Sequence, residues 1–218
     1  MRAAGPAAVF AGASVAYVWL GDAVSHAPPG GLDAAARAAT GEAPGAAWVF
    51  TESCLWPVLA LFAVAGIAVA ALIPAWRPRI AFSIATTLVS WQSSNVLKEV
   101  FRRARPEYWI VHHETSFSYS SGHAMFAVLV FWLWAYFVLR SELPARFRGL
   151  LAAPLGAWGA GVIWSRLALG AHYPTDLAGG VLLAAAMLSL ATLVLFALPR
   201  GAAERVWTAP AGGGAVRG

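Results

Sequence analysis

Six long apolar runs separated by short polar segments dominate the sequence, at about Ala7–Leu20, Leu55–Ile73, Ile80–Leu97, Ala124–Leu139, Leu150–Leu167 and Leu177–Leu198. A helix that crosses ~30 Å of hydrocarbon needs about 20 mostly apolar residues. The pattern therefore predicts an all-α polytopic protein with about six transmembrane helices in one bundle. The first and fourth runs are short and must borrow flanking residues. The third run is interrupted by Ser83, Thr86, Thr87, Ser90, Gln92, Ser93, Ser94 and Asn95. So polar a span is expected to face the bundle interior, where hydroxyls and amides can hydrogen-bond across helices. Residues 21–53 form a long connection containing PPGG, in which Leu32–Thr40 is expected to lie as a short helix with its apolar side on the membrane surface. The connection as a whole, with Asp22, His26, Asp33, Glu42 and Glu52 showing no ligand spacing, reads as a solvated loop, with a substrate-guiding lid as the alternative. One membrane domain is expected over residues 1–200, followed by a Gly/Ala-rich mobile tail over 201–218.

Composition agrees with this reading. A hydrophobic share of 60%, charged residues at 11% and a mean hydropathy of +0.66 exclude an ordinary soluble domain. The net charge of +5 gives no reason to expect nucleic acid, because the arginines are scattered over short connections and form no basic helix face. Cys54 is the single cysteine, and no Cys/His spacing points to zinc; it reads as a small apolar residue near a membrane boundary. Trp19, Trp56, Trp76 and Trp109 fall near expected helix ends, where an indole suits the headgroup layer. Taking the helices as alternating in direction places Arg2, Arg77, Arg79, Arg140, Arg146, Arg148, Arg200, Arg205 and Arg217 on one face. Arg37, Lys98, Arg102, Arg103, Arg105 and Arg166 lie on the other. The first face is expected to be cytoplasmic, with both termini, in the cytoplasmic (inner) membrane.

Three polar islands then fall on the extracytoplasmic side: Lys98-x6-Arg105-Pro106, Ser120-Ser121-Gly122-His123 and Ser165-Arg166-x5-His172-x3-Asp176. Ionisable groups between membrane-length segments are costly unless paired or functional. Hydrolysis of a phosphate ester needs positioned cations to stabilise its charge. Lys98, Arg105 and Arg166 are three such cations, and a guanidinium can hold phosphate oxygens in pairs. Gly122 allows close backbone approach, and Ser121-Gly122 opens the fourth helix, whose free N–H groups and positive end favour an anion. Ser121 is expected to cap that helix while its own N–H faces the phosphate. A nucleophilic histidine must be neutral at the attacking nitrogen, and a carboxylate at the other nitrogen fixes its tautomer. His172 with Asp176 four residues on has that spacing, giving a phosphohistidine intermediate.

In this order and at these spacings, the motifs resemble those of the type 2 phosphatidic acid phosphatase family of membrane lipid phosphatases, whose site is related to that of vanadium haloperoxidases. The match runs from Lys98 to Asp176, and the six-helix layout extends it over most of the chain. One departure is Ser120, which stands where the family usually has proline; it removes no catalytic group but is expected to loosen the loop. The resemblance implies that His123 protonates the leaving alkoxide and later activates water. It also implies a metal-independent hydrolase without cofactors, acting on a phosphorylated lipid in the bilayer. Undecaprenyl diphosphate is the first candidate, then phosphatidate or phosphatidylglycerol phosphate, then lipid A phosphates. Transfer of the phosphoryl group to a second lipid is the alternative outcome. The adjacent His112 and His113 read as solvated, or as a contact to the substrate headgroup.

Overall fold

The computed structural model describes residues 2–39, 45–108, 114–199 and 201–208. Within them the protein is all-helical, without strands: α1 (Ala4–Ser25), α2 (Leu32–Ala39), α3 (Gly45–Glu52), α4 (Trp56–Leu72), a 3₁₀ turn (Pro74–Trp76) and α5 (Arg77–Phe101) come first. The chain continues through α6 (Gly122–Phe126), a π-helical stretch (Ala127–Trp132), α7 (Leu133–Leu139), α8 (Ala145–Ala168), α9 (Pro174–Ala197) and α10 (Ala202–Trp207). Each apolar run corresponds to one long rod, with α6, the π stretch and α7 acting as a single rod.

On length and apolarity alone, three rods can cross a membrane: Ala4–Ser25, Gly122–Leu139 and Pro174–Ala197. A fourth is added if Gly45–Glu52 and Trp56–Leu72, bent by 54°, form one span. The count of six spans therefore stays approximate. α5 and α8 are long enough, at 25 and 24 residues, but are more polar. The short first run extends at both ends, giving α1 its 22 residues, about 33 Å of helix.

The polar span turns inward only on one face. Ser83, Thr86, Ser90 and Ser94 are buried with Lys98 on a stripe of three- and four-residue steps, whereas Gln92 and Asn95 are exposed. α1 runs along α9, and α5, α6 and α10 also contact α9; α8 packs against α3, the π stretch and α7. Outside this core, α4 leans on α5 and presents Leu61, Val64, Ile67 and Leu72 outward. An apolar cleft of about 330 Å³ lies between α4, α5 and the Phe126–Trp134 segment, with Trp56, Leu59, Phe62, Ile80 and Leu88 on its walls.

Two expectations change here. The 21–53 connection is not a plain solvated loop: beside the expected short helix, α2, it contains α3, and Asp33 is buried. The segment after residue 200 does not begin as a mobile tail. α10 buries Ala202, Ala203 and Val206, and the buried Arg79 donates to the carbonyls of Val206 (3.1 Å) and Thr208 (2.5 Å). Trp109, His112 and His113 lie outside the described residues.

Candidate active site

α9 begins at Pro174, whose fixed φ and missing N–H suit a first helical turn, and Asp176 follows in that turn. Its Oδ2 accepts from the Tyr173 backbone N–H at 2.9 Å and from Ser118 Oγ at 2.5 Å; its Oδ1 accepts from Arg103 Nη1 at 2.6 Å. His172, also fully buried, places Nδ1 3.3 Å from Ser118 Oγ and 3.5 Å from Asp176 Oδ2. On the opposite side of the ring, Arg105 Nη1 lies 3.2 Å from Nε2. A guanidinium has no acceptor, so Nε2 must offer its lone pair and the proton must sit on Nδ1. That is the tautomer a nucleophilic Nε2 requires. Burial first, then the charges of Arg105, Arg166 and Lys98, push the His172 pKa well below its ordinary value, so the ring is neutral at physiological pH.

The three expected cations converge. α5 ends at Phe101, and Arg102 takes the left-handed conformation (φ 48°, ψ 32°) with its N–H on Lys98 O at 2.9 Å. Non-glycine residues seldom adopt this conformation. Here it turns the chain so that Lys98, in the last helical turn, and Arg105, beyond the helix, reach one pocket. Lys98 Nζ and Arg105 Nη2 both donate to Ser116 Oγ, at 3.1 and 3.0 Å. Arg105 Nη2 and Arg166 Nη2 donate to the two oxygens of a single carboxylate, Glu114, at 2.6 and 2.5 Å. Burial alone would raise the Glu114 pKa, but Arg166 and Arg105 outweigh it and hold the carboxyl below the usual range. The pocket thus grips an oxyanion, the Glu114 carboxylate, beside His172 Nε2.

His123 lies in the first turn of α6. Its Nε2 is buried and has no hydrogen-bond partner among the described residues. Ser121 caps the helix, accepting the Ala124 N–H at 3.4 Å. Its own N–H does not face an anion as expected: it donates to Asp176 O at 3.0 Å. Gly122 has open space where a Cβ would project, so packing does not require glycine there. Gly180 differs, since a Cβ on it would collide with Ser121 O; its absence lets α9 press against this turn. Ser120 is buried, with Oγ 3.3 Å from Tyr17 Oη, so the loop entering α6 is tied to α1. Among the described residues, no three His, Cys, Asp or Glu side chains are grouped to hold a metal ion.

With the three motifs assembled, comparison with known proteins gives the family. A sequence model of the PAP2 superfamily matches residues 78–200, more than half of the chain. The chain belongs to the PAP2 superfamily. It is 36% identical over 115 residues to phosphatidylglycerophosphatase B of Bacillus subtilis (strain 168), covering 52% of each chain. It is 37% identical over 110 residues to phosphatidylglycerophosphatase B of Escherichia coli (strain K12), covering 49% of this chain and 41% of the relative. The chain thus spans about half the length of the curated relatives it matches. The crystal structure of a transmembrane PAP2-type phosphatidylglycerolphosphate phosphatase from Bacillus subtilis superposes with a TM-score of 0.70 at 25% identity, covering 89% of this chain and 98% of that one. Together with the apolar rods, this makes the protein an integral membrane member of the superfamily.

Several side chains of this PAP2 site lie outside the three motifs. Glu114, Ser116 and Ser118 come from the stretch before the second motif and carried no spacing signal. Thr51, on α3, accepts from Arg166 Nη1 at 2.7 Å and from Ser165 Oγ at 3.3 Å. Arg103 was visible only as one basic residue among several near Lys98. It is buried and bridges Asp176 to Asp33 on α2.

Proposed function

We propose that the protein is a membrane lipid phosphatase that removes a terminal phosphate through a phosphohistidine at His172, on the extracytoplasmic side. The observation that carries this reading is Glu114, a carboxylate held by Arg105 and Arg166 next to His172 Nε2. A lipid phosphate offers the same pocket more oxygens and more negative charge. As it displaces Glu114, Arg105 turns from Nε2 to a phosphate oxygen and the nitrogen lone pair is exposed. Nε2 attacks phosphorus, the bond to the lipid oxygen breaks, and that oxygen takes a proton from Nε2 of the His123 imidazolium, which is left neutral. Asp176 and Ser118 hold the Nδ1 proton while positive charge develops on the His172 ring. Water then attacks the phosphohistidine with His123 accepting its proton, releasing phosphate and restoring both histidines. Lys98, Arg105 and Arg166 stabilise the charge throughout.

The names of the relatives favour phosphatidylglycerol phosphate as the first substrate, ahead of a polyprenyl diphosphate, which the same chemistry accommodates. The apolar cleft beside α4 suits the lipid chains. The distribution of basic residues supports the side of the membrane. Lys98, Arg103, Arg105 and Arg166 are engaged in the site, leaving Arg37 and Arg102 against the nine on the opposite face. That asymmetry favours cytoplasmic termini. Purified protein in detergent is expected to release phosphate from phosphatidylglycerol phosphate and none from phosphatidylglycerol. Intact spheroplasts producing it are expected to hydrolyse added short-chain phosphatidylglycerol phosphate as fast as permeabilised ones. No release from any phosphorylated lipid would end the functional reading; activity only after permeabilisation would reverse the orientation.

Glu114→Gln separates the occupied pocket from the open one. The amide keeps the shape but removes the charge that competes with phosphate, so KM for the lipid is expected to fall several-fold. The melting temperature without substrate should also fall, because two buried guanidiniums lose their shared counter-ion. Unchanged KM and melting temperature would mean that Glu114 does not occupy the phosphate position.

A further inference from the structure

We infer that Arg103 and Asp33 are positioning residues that hold Asp176, and through it His172, in the attacking geometry, making the short helix α2 part of the catalytic assembly. This rests on the reading of His172 as nucleophile. Arg103 has both arms of its guanidinium engaged away from the phosphate pocket. Nη1 donates to Asp176 Oδ1 at 2.6 Å and Thr175 Oγ1 at 2.7 Å; Nη2 donates to Asp33 Oδ2 at 2.7 Å. The guanidinium carbon lies 4.3 Å from the centre of the Tyr173 ring, which covers one face. Asp33 in turn accepts from the Thr175 N–H at 3.1 Å and from Thr175 Oγ1 at 2.7 Å. It is thereby fastened to the first turn of α9, beside Asp176. Arg103 and Asp33 are 4% and 3% exposed, so neither is a surface charge.

The consequence for His172 is geometric. A carboxylate can rotate about its Cβ–Cγ bond; with Oδ1 fixed by Arg103, Oδ2 is left facing Ser118 and Nδ1. The Arg103 carbonyl also accepts the Ser118 N–H at 2.8 Å, so the same residue places the hydroxyl that shares the Nδ1 proton. Asp33 supplies the second negative partner, so that Arg103 is held from both sides. Groups that orient a working histidine or its carboxylate contribute about 10- to 100-fold when removed singly, and their effects do not add to loss of the group they act through.

The test is a pair of mutant cycles against Asp176→Asn in purified, detergent-solubilised protein, with kcat and KM measured on phosphatidylglycerol phosphate. Arg103→Gln is expected to lower kcat by about 10- to 100-fold with KM nearly unchanged, and Arg103→Lys to recover part of the loss. Asp33→Asn is expected to lower kcat by several-fold. In the Asp176→Asn background, neither change should lower kcat further. A merely structural role would give the same fractional loss in both backgrounds, and a phosphate-binding role would raise KM; either result overturns the relay. If Arg103→Gln fails to give monodisperse protein, the Asp33 cycle decides alone. An impaired Asp176→Asn beside fully active Arg103→Gln and Asp33→Asn overturns the relay but leaves His172 as nucleophile. Full turnover in Asp176→Asn overturns the His172–Asp176 reading itself, and the relay with it.

Discussion

Replacing His172 by alanine is expected to lower turnover by on the order of 10⁴-fold or more, since loss of a covalent nucleophile disables the whole interdependent site. Nε2 of this ring is unprotonated, meets Arg105 Nη1 at 3.2 Å and lies beside the oxyanion pocket. Asp176→Asn should cost less, because the attacking nitrogen remains. The measurement is phosphate release together with trapping of the acid-labile, base-stable phosphoenzyme. An ordinary histidine is half charged at about pH 6.5. His172 titrates well below that, so its neutral form persists as pH falls through this range. Phosphoenzyme formation from nitrophenyl phosphate at pH 6 should therefore show no loss attributable to protonation of the nucleophile. Near-normal lipid dephosphorylation by His172→Ala would remove the proposed mechanism.

The second large effect belongs to His123 and depends on the leaving group. An aliphatic alkoxide leaves poorly without a proton, whereas nitrophenolate leaves well unaided; general acid catalysis typically contributes about 10²- to 10⁴-fold where it is needed. His123→Ala is expected to lose lipid phosphatase activity on that scale while keeping relatively more activity on nitrophenyl phosphate. The geometric basis is its buried Nε2, which has no hydrogen-bond partner among the described residues. Equal fractional losses on both substrates would assign His123 to binding instead of proton transfer.

Residues that carry motif spacing were legible in the sequence; those that support them were not. Lys98, Arg105, Arg166, His172 and Asp176 could be placed together because helix ends bring fixed spacings to one face. The apolar runs likewise gave the rods, since membrane length is a direct constraint on composition. Glu114 and Thr51 escaped because a carboxylate in a connection, or a threonine on a short helix, has no periodicity to betray its partner. Asp33 was misread as solvated for the same reason: its burial depends on Arg103, which is 70 positions away. Arg103 itself was hidden among basic residues counted for topology. Ser121 was half legible. Its hydroxyl caps α6 as expected, but the contact of its N–H with Asp176 O required knowledge of how closely α9 approaches.

The packing of α1 along α9 also bears on biosynthesis. Tyr119 Oη donates to Tyr17 O at 2.6 Å, and Tyr17 Oη meets Ser120, so α1, which precedes the other described rods in the chain, steadies the second motif. Its main neighbour, α9, is the last of them to emerge, and it carries Asp176. Helices that insert independently and associate afterwards leave α1 waiting in the bilayer while the intervening residues are made. His123, His172 and the three cations thus meet fully only once α9 has been made and has packed against α1. A chain stalled before α9 lacks Asp176, and with it the carboxylate that faces His172 Nδ1 and holds Arg103.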